Sequence, residues 1–137
     1  MTSVGYLTNL AARLFARSLD RRLDNASLGP MPVYYALLGG EALPQKELAR
    51  LAAVEQPTMA NTLARMERDG LVVREPDPRD GRSSLLRLTA LGRERGTAAF
   101  AAAAGVNALA LEALTPEEQP IFLAMLRRIV ARLEADG

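Results

Sequence analysis

The sequence predicts a mainly α fold with a small β-hairpin (α+β), and three observations carry that prediction. Apolar residues recur at helical spacing over most of the chain. Two helical patterns, Gln45 to Ala52 and about Pro57 to Asp69, are separated by a tight turn. Two β-rich runs follow, Leu71 to Arg74 and Leu85 to Leu88, around the polar loop Pro76 to Ser83. Helix, turn, helix, hairpin is the order of a winged helix-turn-helix, here over residues 31–89. Long helical parts precede it at 1–27 and follow it at 90–137.

Composition narrows the function classes. At 137 residues the chain fits one domain, or one domain plus a helical assembly module, and 49% apolar residues suffice for a core. No apolar run approaches the roughly 20 residues of a membrane span. The N-terminus lacks a basic segment followed by an apolar run and a small-residue cleavage site, so the expected location is cytoplasmic, with no membrane partner. Cysteine and histidine are both absent. Disulfides, thiol switches, thiolate metal sites and the commonest general base are thereby excluded. No cofactor and no catalytic residue is implied. The net charge is +1, yet Lys46 is the one lysine among 17 basic residues. Arginine suits phosphate recognition because its planar fork stays charged and bonds in pairs. An arginine bias also arises from GC-rich coding, so placement has to decide.

Taken in order, residues from Thr2 or Ser3 to about Asn25 read as a helix with Ser3 as N-cap; Leu7, Leu10 and Leu14 form a stripe that Phe15, Leu19 and Leu23 broaden. Leu28-Gly29-Pro30-Met31-Pro32 breaks it. Val33 to Leu38 is short and apolar; with Pro32 at its start it reads as a helix. In the helix from about Pro57, Met59, Leu63 and Met66 make a buried stripe, and Thr58, Asn61, Arg65 and Arg68 lie opposite. A polar helix face is ordinarily just solvated. The helix and turn before this one, and the hairpin behind it, favour a reading surface instead.

Gly70 ends that helix. In the hairpin, Pro76 and Pro78 stiffen the loop and Asp80-Gly81 is a turn dipeptide. Arg74, Arg79, Arg82 and Arg87 face Glu75, Asp77 and Asp80, which reads either as compensated surface charge or as a tip, with Arg79 and Arg82, that enters a minor groove. From about Ala90 to Leu114 the chain is alanine-rich and helical, with Gly105 interrupting but not ending it. Thr115, Pro116 and Glu118 spell a capping box, and Pro120 removes one backbone donor beyond it. Phe122, Met125 or Leu126, Ile129 and Leu133 stripe the last helix, opposite Arg127, Arg128 and Arg132. The terminal stripes exceed what one small module covers, so a homodimer is expected.

These residues resemble the MarR (multiple antibiotic resistance regulator) family of bacterial transcription factors. The likeness is densest over Gln45-Lys46-Glu47-Leu48-Ala49 and Pro57 to Val72. It continues through Arg74, Asp77-Pro78-Arg79-Asp80-Gly81-Arg82 and Leu86-Arg87-Leu88-Thr89. The resemblance implies a homodimer that binds a double-stranded, pseudo-palindromic DNA operator, with a recognition helix in the major groove and a wing in the minor groove. Thr58, Asn61 and Arg65 would contact the DNA, with Gln56 and Pro57 at the helix entrance; Arg68 joins them as a DNA-binding candidate from the polar face of the same helix. Arg82 is similar to the wing-tip arginine and Asp80 to the acid that orients it; Arg79 stands in for a second wing arginine where this chain has Gly81. Members often carry arginine or threonine in place of Asn61, and a capping threonine in place of Pro44.

Without cysteine or histidine the chain is set apart from the peroxide- and zinc-sensing branches. The signal implied is then a small organic effector, aromatic or anionic, for which Tyr6, Arg13, Arg17, Tyr34 and Tyr35 are candidate pocket residues. The combined expectation is a repressor released by such a ligand. Two other readings compete: a winged-helix protein-protein interaction module, and an enzyme using the exposed Asp77 and Asp80, which lack the burial that acid chemistry needs.

Overall fold

A computed structural model of the chain describes residues 2–23 and 30–137. Six helices and three strands are formed among them: α1 (Val4–Asp20), α2 (Met31–Leu37), β1 (Leu43–Pro44), α3 (Gln45–Ala52), α4 (Gln56–Arg68), β2 (Val72–Asp77), β3 (Asp80–Leu88), α5 (Ala90–Leu111) and α6 (Glu118–Asp136). The chain divides into two compact units, Met1–Ala103 and Ala104–Gly137. No described helix is long and apolar enough to cross a membrane.

In the first unit, Ser3 caps α1 as its sequence suggested, its hydroxyl accepting from the Tyr6 N–H at 3.2 Å. The helix stops at Asp20, earlier than expected; Asp24, Asn25, Leu28 and Gly29 lie outside the described residues. Pro32 sits in the first turn of α2, where its missing donor costs nothing. Helix α3 ends in Ala53 at φ 54° and ψ 43°, a left-handed cap more often filled by glycine. Helix α4 ends the same way with glycine: the Leu71 N–H reaches the Met66 carbonyl at 2.8 Å and the Gly70 N–H that of Glu67 at 3.1 Å. Gly70 has φ +75°, which is why this residue stops the helix.

The core is built from one face of each element. Val33 and Leu37 of α2, Leu48 of α3, and Met59, Leu63 and Met66 of α4 meet the sheet residues Leu86 and Leu88, all at most 3% exposed. The sheet has the order β1-β3-β2 and is antiparallel throughout. The two-residue strand β1, which pairs Leu43 with Leu86 and Pro44 with Leu85, is not foreseeable from its sequence. The hairpin is also longer and tighter than the sequence suggested. Asp77 pairs with Asp80, so the expected eight-residue loop shrinks to Pro78-Arg79, and Arg82 lies within β3. Prolines are tolerated here because β2 is an edge strand, and Pro76 sits at a register shift.

The junction between hairpin and α5 is crowded. Thr89 donates its N–H to the Leu71 carbonyl at 3.0 Å and its hydroxyl to the Gly70 carbonyl at 2.6 Å, while the same hydroxyl accepts from the Gly92 N–H at 3.0 Å. A Cβ on Gly92 would lie 2.0 Å from the Leu71 carbonyl oxygen. One turn on, a Cβ on Gly96 would lie 2.9 Å from the Tyr34 ring. Tyr34 is buried, which pushes its hydroxyl above the phenol value of 10.0, with Arg95 opposing the shift.

In the second unit α5 ends at Leu111 rather than Leu114, and the side-chain amide of Gln119 takes up the carbonyls of Leu111 (3.0 Å) and Leu114 (3.4 Å). The capping box forms: the Glu118 N–H donates to the Thr115 hydroxyl at 3.2 Å and the Thr115 N–H to the Glu118 carboxylate at 2.9 Å. Regular helix nevertheless begins only at Glu118. The physical reason is Pro120, which has no N–H to continue the bond series after the Gln119 N–H reaches Thr115. Along α6 no residue is buried, and Phe122, Met125, Ile129 and Leu133 are exposed.

Gly92→Ala should lower stability by about 2 kcal/mol or more, since backbone must move to admit the methyl. Gly81→Ala, which meets open space, should change it by less than about 0.5 kcal/mol; denaturant unfolding of both variants checks the contrast. A second expectation concerns Tyr34. Its raised value favours the neutral phenol in the folded chain, so its contribution is intact below pH 10.0 and lost as pH rises through the folded value. Between about pH 8 and about pH 11 the parent should lose more stability than Tyr34→Phe.

Candidate nucleic-acid interface

Helix α4 turns its apolar stripe inward and leaves a polar face in solvent. Gln56, Pro57, Thr58, Asn61, Arg65 and Arg68 are all exposed. Thr62, in contrast, is buried and donates its hydroxyl back to the Thr58 carbonyl at 3.2 Å, so it belongs to the core side. Arg65 and Arg68 also border a recess of about 240 Å³ that includes Pro30 and Asp69. At the helix entrance the Gln45 amide donates to the Gln56 side-chain oxygen at 3.3 Å.

The four hairpin arginines divide into two pairs with different employment. Arg74 Nε donates to Glu67 Oε1 of α4 at 2.7 Å and its Nη1 to Ser84 Oγ at 3.3 Å. Arg87 donates to both oxygens of Glu75, at 3.0 and 3.4 Å, and to the Gly40 carbonyl at 2.6 Å. The Glu75 carboxylate holds the Arg87 guanidinium above its usual value. These two arginines hold the hairpin to α4 and to the loop before β1. Arg79 and Arg82 do not: among the described residues no carboxylate lies within 4.0 Å of either guanidinium.

The neighbouring acids serve the backbone instead. Asp77 accepts from the Arg79 N–H at 2.9 Å and Asp80 from the Arg82 N–H at 3.0 Å. Asp80, which the resemblance casts as the acid that orients Arg82, meets that residue at its backbone N–H. Each is a side-chain turn of the kind aspartate forms two residues ahead of its partner. The effect is to fix the chain at the hairpin end while leaving both guanidinium groups without a carboxylate partner among the described residues.

Among the candidate ligand residues, spacings of seven and four put Tyr6, Arg13 and Arg17 on one exposed face of α1. Tyr34 and Tyr35 diverge. Tyr34 is buried against Gly96, whereas Tyr35 is exposed and lies against Phe100 with ring centroids 4.7 Å apart at 34°. Sequence reasoning assigned no contact to three residues that support these elements: Gln45, Glu67 and Thr89. Each acts through a partner more than three residues away along the chain, and only Thr89, a hydroxyl just before a helical run, carries a local signal.

A model of the MarR family matches residues 35–83, the stretch from α2 through the hairpin turn. The transcriptional regulator HosA of Escherichia coli O111:H- is 36% identical over 98 residues, covering 72% of this chain and 73% of that protein. The chain belongs to the MarR family. A second relative, the HTH-type transcriptional repressor NicR of Pseudomonas putida, is 30% identical over 93 residues, with 68% of this chain and 59% of NicR covered. Among solved structures, the PcaV transcriptional regulator of Streptomyces coelicolor, in complex with its natural ligand, superposes with a TM-score of 0.85 at 27% identity, covering 95% of this chain and 93% of PcaV. MarR membership makes the exposed face of α4 and the hairpin arginines parts of one transcriptional regulator with a winged-helix fold.

A double-mutant cycle on Glu67 and Arg74 should give a coupling of about 0.5–1 kcal/mol, as for a half-exposed ion pair. Arg79→Ala and Arg82→Ala should each change stability by less than about 0.5 kcal/mol, because neither guanidinium supports the fold. Chemical denaturation measures all of these.

Proposed function

We propose that this MarR-family chain is a sequence-specific double-stranded-DNA-binding repressor that acts as a cytoplasmic homodimer and is released by a small organic effector. One observation carries the reading most directly: the exposed polar face of α4 and the two acid-free arginines, Arg79 and Arg82, belong to the same compact unit. In the proposed complex α4 enters the major groove. Asn61 reads an adenine edge through paired hydrogen bonds, Arg65 and Arg68 hold phosphate, and Gln56, Pro57 and Thr58 seat the helix entrance. Arg82 and Arg79 reach the adjacent minor groove, whose negative potential favours guanidinium.

Residues 31–89 form the reader in this proposal, and the flanking parts 1–27 and 90–137 assemble the dimer. Support comes from the apolar side chains left in solvent, Val4, Leu7 and Leu14 on α1 and Ile121, Phe122 and Leu133 on α6. A monomer gains nothing from exposing them, and a second copy would cover them. A two-fold dimer presents two recognition helices to half-sites about one DNA turn apart. Repression is supported by the likeness to NicR, and effector control by the likeness to PcaV, which was solved with its ligand. The switch needs no chemistry: an aromatic or anionic ligand that prefers the non-binding spacing of the helices weakens DNA affinity by its differential affinity. Tyr6, Arg13, Arg17 and Tyr35 are the exposed candidates for its pocket.

Selection from a randomised duplex library, followed by gel-shift titration, tests the reading. Arg82→Ala should weaken binding about tenfold on all selected sequences and flatten the salt dependence. Asn61→Ala should relax preference at one base pair per half-site, a loss of about 1–3 kcal/mol of discrimination. Unchanged affinity and unchanged preference in both variants would sink the assignment.

A further inference from the structure

We infer that Gln45 is a positioning residue for base recognition: it fixes the side-chain amide of Gln56 so that Gln56 meets DNA as a hydrogen-bond donor. The inference rests on the DNA-reading proposal above and assigns one residue's contribution to sequence preference within it. Gln45 is the first residue of α3 and Gln56 the first of α4, and their amides meet with Nε2 of Gln45 donating to Oε1 of Gln56 at 3.3 Å. Both backbones are anchored, α3 through buried Leu48 and Ala49 and α4 through buried Met59, Leu63 and Met66. The amide pair therefore spans a fixed gap between two fixed helix starts.

Gln56 is exposed and makes no other side-chain hydrogen bond among the described residues. A glutamine alone in solvent samples many rotamers, and ordering it on binding costs entropy. Gln45 supplies that order beforehand. It also chooses the chemistry presented. An amide offers one acceptor oxygen and two N–H donors. With its oxygen drawn toward α3, Gln56 keeps its NH₂ group for the groove. Glutamine usually reads adenine by donating to N7 and accepting from N6. Held this way, Gln56 lacks the accepting half and matches an acceptor edge, guanine O6/N7 or thymine O4. The base pair under Gln56 should accordingly favour guanine or thymine.

The test uses the full chain and sequence selection from randomised duplexes, with thermal melting as a check that each variant folds. Gln56→Ala locates the base pair concerned by flattening its preference. Gln45→Ala should reduce discrimination at that pair alone by about fivefold, the worth of one hydrogen bond. Gln45→Glu is the sharper variant: a carboxylate only accepts, so it turns the Gln56 amide round and should move the preference toward adenine or cytosine, whose exocyclic amines donate. If the parent selects an operator but both Gln45 variants leave that pair unchanged, or shift every position alike, the positioning role is overturned and the DNA-reading proposal stands. If the parent selects no sequence at all, both fall together.

Discussion

The wing keeps its place on helix α4 because of the hydrogen bonds gathered at Thr89. This residue touches the end of α4 through the Gly70 carbonyl, the start of β2 through the Leu71 carbonyl, and the first turn of α5 through the Gly92 N–H. Three elements converge on one side chain and its own amide. The approach is so close that only glycine fits at position 92, and the left-handed Gly70 is what aims the Leu71 carbonyl there. If that junction opened, the hairpin would lose its angle to α4, and Arg74 could no longer reach Glu67. Packing alone would not restore it, because buried leucines tolerate small rotations that a pair of short hydrogen bonds does not.

Charge is distributed to the same end. The near-zero net charge hides a division of labour in which Glu67 and Glu75 are consumed by Arg74 and Arg87, and Asp77 and Asp80 by backbone N–H groups. The hairpin end, with Asp77, Asp80, Arg79 and Arg82, is formally neutral, but its carboxylates bond backbone N–H groups and its two guanidinium groups have no carboxylate within 4.0 Å among the described residues. The acids are therefore part of the wing's construction: they stiffen the turn and spare the guanidinium groups.

Much of this was legible in the chain of letters. The helix stripes, the stop at Gly70, the capping box at Thr115 and Glu118, and the polar face of α4 all depend on neighbours within four residues, where spacing fixes geometry. The hairpin was read only in part. A β-rich run marked Leu85 to Leu88 but not the strand extending back to Asp80, since Gly81, Arg82 and Ser83 have weak strand preference and are held in the ladder by pairing with β2. Strand β1 is two residues long and exists only because β3 lies beside it. Sorting the four hairpin arginines required knowing which acid lies within reach of each, a question of distance through space.

By itself, then, the sequence determined the fold class, helix α4 and the residues exposed along its polar face, since each follows from local periodicity and from the chemistry of glycine and proline. Tertiary structure alone decided that, among the described residues, Arg79 and Arg82 are the hairpin arginines without acid partners, that Asp80 holds a backbone N–H, that Tyr34 is core while Tyr35 is surface, and that Gln45 grips Gln56. The physical reason is common to all four. Each is settled by contacts between residues that folding brings together, and a side chain's partners there are chosen by the geometry of other elements rather than by its own neighbours in the chain.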